Sequence, residues 1–233
     1  MHWTRTDTAR RRIVVAGLIA GPLLLVLSVA INLTAPADSM QAEFDAMATR
    51  GTLIVAEALL ESVGFMIVLA CLAGTAHALR HRGGALGTWG AALSILGIVG
   101  FSMSNANGFT LPALAALPDH KVAYDTAKAL MSSDIMSTIG TVTMALELAG
   151  QAGIVLVIAG LIRARLISFW VLIPVALGIV LNFVGGIMLT TLIADALLAV
   201  TCTWIAVRLV RAPRQAWLGE PVVAAPSRTA QPA

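Results

Sequence analysis

The chain has 233 residues, of which 58% are hydrophobic and only 12% charged, and its mean hydropathy is +0.90. A soluble domain is nearer half apolar and a quarter charged, so this composition excludes an ordinary soluble fold and points to the membrane. The net charge of +3 does not indicate nucleic acid, because the arginines flank apolar runs and read as topology signals.

Aromatic residues make up only 5% of the chain, and Ala, Leu, Val, Ile and Gly carry the apolar load. That suits closely packed membrane helices better than a barrel, whose strands would alternate polar and apolar residues. In chain order, residues 1–12 form a basic N-terminal segment with Arg5, Arg10, Arg11 and Arg12. A membrane span needs about 20 apolar residues. The runs that meet this length are Ile13–Thr34, Thr52–Leu79, Ala85–Asn107, Met136–Ile162 and Leu166–Val210. The last is about twice the length of one span and is expected to fold as two helices. Its turn is expected near NFVGGIMLTT (Asn182–Thr191), where paired glycines relax the backbone. The sequence thus predicts an all-α, polytopic bundle of six transmembrane helices over residues 13–210. A Pro- and Ala-rich tail follows at 211–233, with no periodic pattern, and is expected to be disordered and cytoplasmic.

Arg80 and Arg82 follow the second run, Arg163 and Arg165 the fourth, and Arg208, Arg211 and Arg214 the last. With the N-terminal arginines they fall on one side if every span crosses, which by the positive-inside rule places both termini in the cytoplasm of a multi-pass cell-membrane protein. The opposite loops carry Arg50, Lys121 and Lys128 against Asp38, Glu43, Asp45, Asp119, Asp125 and Asp134. Trp3, Trp89, Trp170, Trp204 and Trp217 map to the basic border, as an interfacial belt would. The N-terminal run followed by APA (Ala35–Ala37) also fits a cleaved signal peptide, which would leave five helices; its length of about 20 residues favours a retained span. In the outer segment PDHKVAYDTAKALMSSD, Val122, Ala123, Ala127, Leu130 and Met131 share one side of a short surface helix.

Cys71 and Cys202 lie in apolar runs and read as small hydrophobes. The chain has no zinc spacing, phosphate-binding glycine loop or nucleophile elbow, so no cofactor or metal is implied. Function therefore rests on polar residues inside the spans. Helix rise puts Glu57 roughly 8 Å and Glu61 about 14 Å below the outer end of the second helix, and Glu147 about 16 Å below Met136. Asp195 lies about 6–8 Å down the sixth helix. Asn32, Ser102, Ser104, Asn105, Asn107 and Asn182 cluster toward outer ends, whereas the inner halves hold few polar groups, Gln151, Thr201 and Thr203 among them. This asymmetry predicts a polar cavity opening outward.

Helical spacing groups these residues into faces: Glu57, Glu61 and Gly64; Gly140, Met144, Glu147 and Gln151; Thr191, Asp195 and Cys202. Carboxylates avoid lipid, so the three faces should meet inside the bundle. In the third helix Gly90, Ser94, Gly97, Gly100 and Ser104 offer a small-residue surface for close packing. No Lys or Arg shares the depth of the four acids, so proton-bearing acids are expected. The candidate ligand-binding residues are Glu57, Glu61, Asn105, Glu147, Gln151, Asn182 and Asp195. Each has a structural alternative: Glu57 can snorkel, Asp195 can bond backbone near the glycine turn, and the asparagines can cap or join helices. His77 and His81 read as solvated border residues, and His120 as a loop residue suited to pH sensing.

The stretch ATRGTLIVAEALLESVGFMIVLACLAGTAHALRHRGGALGTWGAALSILG resembles a family of bacterial six-helix membrane proteins, itself a domain of unknown function. The likeness lies in Arg50 before the second helix, the EALLE core, the basic turn after HAL and the glycine-rich third helix. LIRARLISFWVLIPVALGIV likewise is similar to the start of that family's fifth helix. The resemblance implies a fold but no activity. At the level of design alone, the chain is similar to integral-membrane terpene cyclases, which protonate an isoprenoid with in-membrane acids; this implies Glu61, Glu147 and Asp195 as catalytic groups.

Three functional classes follow. The first is a binding or regulatory module whose cavity takes a lipid or small apolar molecule from the outer leaflet. The second is an enzyme with a protonated Glu61 or Glu147 as general acid on an isoprenoid or lipid. The third is a proton-coupled transporter, against which stands the absence of a visible inverted repeat.

Overall fold

The computed structural model describes residues 5–31, 39–79, 84–184, 188–213 and 217, excepting the side chains of 183 and 184. The described residues are helical, with no strand: α1 (Arg5–Ile31), α2 (Met40–Leu79), α3 (Gly84–Ser104), α4 (Asn107–Ala115), α5 (His120–Met131), α6 (Asp134–Arg163), a 3-10 turn (Phe169–Val171), α7 (Leu172–Val184) and α8 (Met188–Arg211). Among the described residues, five helical stretches are long and apolar enough to cross a membrane: α1, α2, the α3–α4 stretch, α6 and α8. This is one fewer than the six expected. The fifth predicted span is represented among the described residues by the 13-residue α7, about 20 Å long by helix rise and entered through the Phe169–Val171 turn. The turn predicted near Asn182–Thr191 centres on residues 185–187, which lie outside the described residues.

Helix boundaries differ from the apolar runs for a physical reason. Hydropathy marks where side chains suit lipid, not where backbone hydrogen bonding stops. α2 begins at Met40, twelve residues before the predicted Thr52, and its 40 residues reach about 60 Å. Its polar beginning is held by Phe44, which packs with Ala115, Ala123 and Ala127 in a small separate core. That core joins the start of α2 to α4 and α5 as a cap on the acidic end of the bundle. Asp119 caps α5 by accepting from the Val122 amide at 3.1 Å, and His120 meets Asp45 of α2 at 2.6 Å. The predicted apolar side of α5 is rotated: Ala123 and Ala127 are buried, while Val122, Leu130 and Met131 stay exposed.

The third predicted span, Ala85–Asn107, ends early at Ser104, and a turn at Asn105 and Ala106 starts α4. α6 keeps close to its predicted run, capped at its start by Ser133 on the Met136 amide. It stops at Arg165, whose φ of 59° lies in the left-handed region. There the amides of Arg165 and Leu166 turn back to the carbonyls of Ile162 and Leu161, closing the helix end with the 5→2 and 6→1 bonds of a Schellman motif.

The main core lies toward the basic half, where Leu18 and Leu25 of α1, Leu69 and Leu72 of α2, Ile158 and Leu161 of α6, and Ile205 and Leu209 of α8 are buried. Small residues let these helices close up. Gly90, Ser94, Gly97 and Gly100 of α3 are buried against α6, whereas Ser104 is exposed. α1 joins α8 at the basic end, where Arg11 donates to the carbonyls of Leu209, Val210 and Ala212, satisfying helix-end acceptors that otherwise lack partners. Trp89, Trp170 and Trp204 are exposed near that end. Trp217 departs from the expected belt: it is 2% exposed, with its ring 6.3 Å from that of His77. Trp3 lies outside the described residues.

Candidate binding cavity

A cavity of about 60 Å³ lies where α2, α3, α6, α7 and α8 approach one another. Its wall combines Phe65, Phe101, Ile154, Pro174, Val175, Ile179 and Leu198 with three polar residues, Gln151, Asn182 and Asp195. That volume has room for a few water molecules or a small organic group. α7 packs mainly on α8 and touches α6 sparsely, so the cavity occupies the looser side of the bundle.

Each polar wall residue owes its position to local structure. Asp195 sits seven residues into α8, about 10 Å from its start, and is 8% exposed. Gln151 follows Gly150, whose contact with Gly97 draws α6 onto α3 and turns the amide into the bundle interior. It too is 8% exposed, and its Oε1 has no hydrogen-bond partner. A buried amide oxygen without a donor costs roughly 1–3 kcal/mol, so this atom calls for a donor. Asn182 stands near the end of α7 and reaches the cavity from the exposed side.

The remaining candidate residues, Glu57, Glu61, Asn105 and Glu147, are not part of the cavity wall. Glu61 lies one helical turn before Phe65, and its carboxyl group is hydrogen-bonded by the Asn105 side chain. Asn105 Nδ2 also donates to Ser62 Oγ at 3.1 Å, fixing the end of α3 to the middle of α2. Asp195, Glu57 and Glu147 are all within electrostatic reach of Glu61. The helix faces expected to meet therefore supply neighbouring acids, but not along their whole lengths. Gly140 and Met144 of the α6 face are exposed, with open space beside Gly140. Only the Glu147–Gln151 part turns inward. Gly64 serves α1 instead, packing on Leu25. On α8, Thr191 is half-buried and both Asp195 and Cys202 are buried.

Sequence reasoning passed over the aromatic wall. Phe65 and Phe101 stack with ring centroids 3.9 Å apart and an interplanar angle of 9°. A signal was present: Phe65 follows Glu61 by four residues and Phe101 precedes Asn105 by four. Each ring therefore lies one turn deeper than a polar residue on the same helix face. Among the described residues, no three His, Cys, Asp or Glu side chains are arranged to hold a metal ion. Comparison with protein-family models, curated proteins and solved structures yields no match.

Proposed function

We propose that this chain is a multi-pass cell-membrane protein that binds a lipid or small apolar molecule in the cavity between α6 and α7. The observation that carries this reading is the cavity's wall: mostly apolar side chains, with Asp195, Gln151 and Asn182 as polar points. Binding pockets combine an apolar lining with a few such orienting groups, and ionisable residues within membrane helices mark functional sites by default. In this reading α7 completes a sixth span, shorter than the rest. Both termini are cytoplasmic, and the acidic end with its α4–α5 cap faces outward. The bacterial six-helix family suggested by the EALLE stretch is consistent with this layout.

The test is native mass spectrometry of gently extracted full-length protein, wild type beside Glu61→Gln and Asp195→Asn. The expected outcome is a copurifying small molecule in wild type that both variants lose. Identical spectra from three folded proteins would remove the reading.

One observation favours a second reading. Glu61 is held by Asn105 beside three further acids, an arrangement suited to a general acid acting on an isoprenoid or lipid, with the remaining acids stabilising positive charge. An acid-dependent product from prenylated substrates incubated with membranes would separate enzyme from binding module.

A further inference from the structure

The geometry points to a lipophilic amine as the ligand class: a free amphiphile whose ammonium head lies against Asp195, Gln151 and the Phe65–Phe101 stack, with an apolar tail along α7. This rests on the binding reading above and adds the charge of the ligand.

Three features of the wall argue for a cation. Asp195 is 8% exposed and lines the cavity. Gln151 presents a second buried acceptor, Oε1, without a donor. Phe65 and Phe101 both reach the cavity, and their stack carries the negative ring faces that attract a cation within about 6 Å. The polar demand of the site is thus for positive charge and N–H or N–CH₃ donors.

The protein supplies no such charge nearby. Residues 52–79, 84–120, 134–162 and 166–207 contain no Lys or Arg, and they include every cavity-lining residue. Glu61, a further acid, lies within electrostatic reach of Asp195. An ammonium in the cavity would hold Asp195 as its carboxylate and supply the positive charge that the surrounding helices lack. The apolar tail has a matching surface in Pro174, Val175 and Ile179 of α7. Lipid head groups also carry ammonium, but there a phosphate accompanies it. A cavity of about 60 Å³ lined by Asp195 and by no basic residue suits the cation without its phosphate, so the free amine is the source assigned.

The test compares dodecyltrimethylammonium with 1-dodecanol, a chain of equal length without charge, for saturable binding to the full-length protein in phosphatidylglycerol nanodiscs. Wild type should bind the ammonium at least about tenfold more tightly than the alcohol. Asp195→Asn should abolish that preference while leaving dodecanol binding in place. Phe65→Leu, which keeps the charge and loses the ring, should reduce it several-fold. Equal affinity for the two probes in wild type would overturn the cation and leave the apolar site standing. Saturable binding of neither would overturn both readings. A preference that persists in Asp195→Asn would place the cation elsewhere and overturn this site. Affinity should be unchanged in phosphatidylcholine nanodiscs; its loss there would reassign the site to a choline head group.

Discussion

Gly97 of α3 and Gly150 of α6 face each other backbone to backbone: a methyl group added at Gly97 would stand 2.3 Å from the Gly150 Cα. No rotamer relieves such a clash, because the opposing atom is main chain. Gly97→Ala must therefore push α6 off α3 and disturb Gln151 directly beside the contact. Membrane helices associate by close packing rather than by hydrophobic expulsion, so the lost contact is not recovered elsewhere. The expected loss is about 1–3 kcal/mol, read as a lower unfolding midpoint in detergent. An unchanged midpoint would mean that α6 can shift along α3 without losing packing. Gly140→Ala is the matched control, since open space surrounds that position.

Asn105 should couple the polar cluster to the bundle. Its amide holds Ser62 at 3.1 Å and the Glu61 carboxyl group, so Asn105→Ala removes both. The expected destabilisation is about 1–3 kcal/mol, the usual consequence of stranding partly buried partners. Asn105→Asp should be worse than the alanine variant, because it places another acid beside Glu61. Thermal unfolding of the two variants in parallel checks the order.

The α4–α5 cap should open independently of the span bundle. Its own core of Phe44, Ala115, Ala123 and Ala127 is small and separate, and His120 and Asp45 tie α5 to α2 at 2.6 Å. Both side chains are about half exposed, so screening limits the pair to roughly 0.2–1 kcal/mol. His120→Ala should speed hydrogen exchange across residues 120–131 several-fold and leave α6 and α8 unchanged. A uniform increase across all helices would show that cap and bundle form one cooperative unit.

Arg165 terminates α6 with a φ of 59°, a conformation that costs most L-residues roughly 1–2 kcal/mol. Arg165→Gly removes that strain but loosens the unfolded chain, so the net expectation is a stabilisation of about 0.5–1 kcal/mol. Arg165→Val should be destabilising, since a branched side chain resists the left-handed region more strongly. Paired melting curves decide the sign.

Much of this protein was legible because lipid imposes a simple requirement. Long apolar runs with few charges between Ile13 and Val210 announce helices, since a spanning backbone must satisfy its own hydrogen bonds. The periodicity of α3 likewise announced Gly90, Gly97 and Gly100 as a packing surface. The acids at Glu61, Glu147 and Asp195 were visible as anomalies in hydrocarbon, and their helical spacing indicated which faces carry them.

What the tertiary structure alone decided was which parts of those faces meet. Gly140 and Met144 share a helical stripe with Glu147, yet they are exposed, with open space beside Gly140. The aromatic stack is a pairing between helices, which one helix's periodicity does not encode. The extension of α2 to Met40 was hidden because its polar first turns are stabilised by a remote contact, Phe44 on α4 and α5. Sequence by itself determined helicity, the apolar stretches and the identity of the unusual acids, since these depend on each segment and its solvent. Which of those acids reaches the cavity, as Asp195 does, depends on helix–helix approach distances, which contacts such as Gly97 against Gly150 set only once the chain is packed.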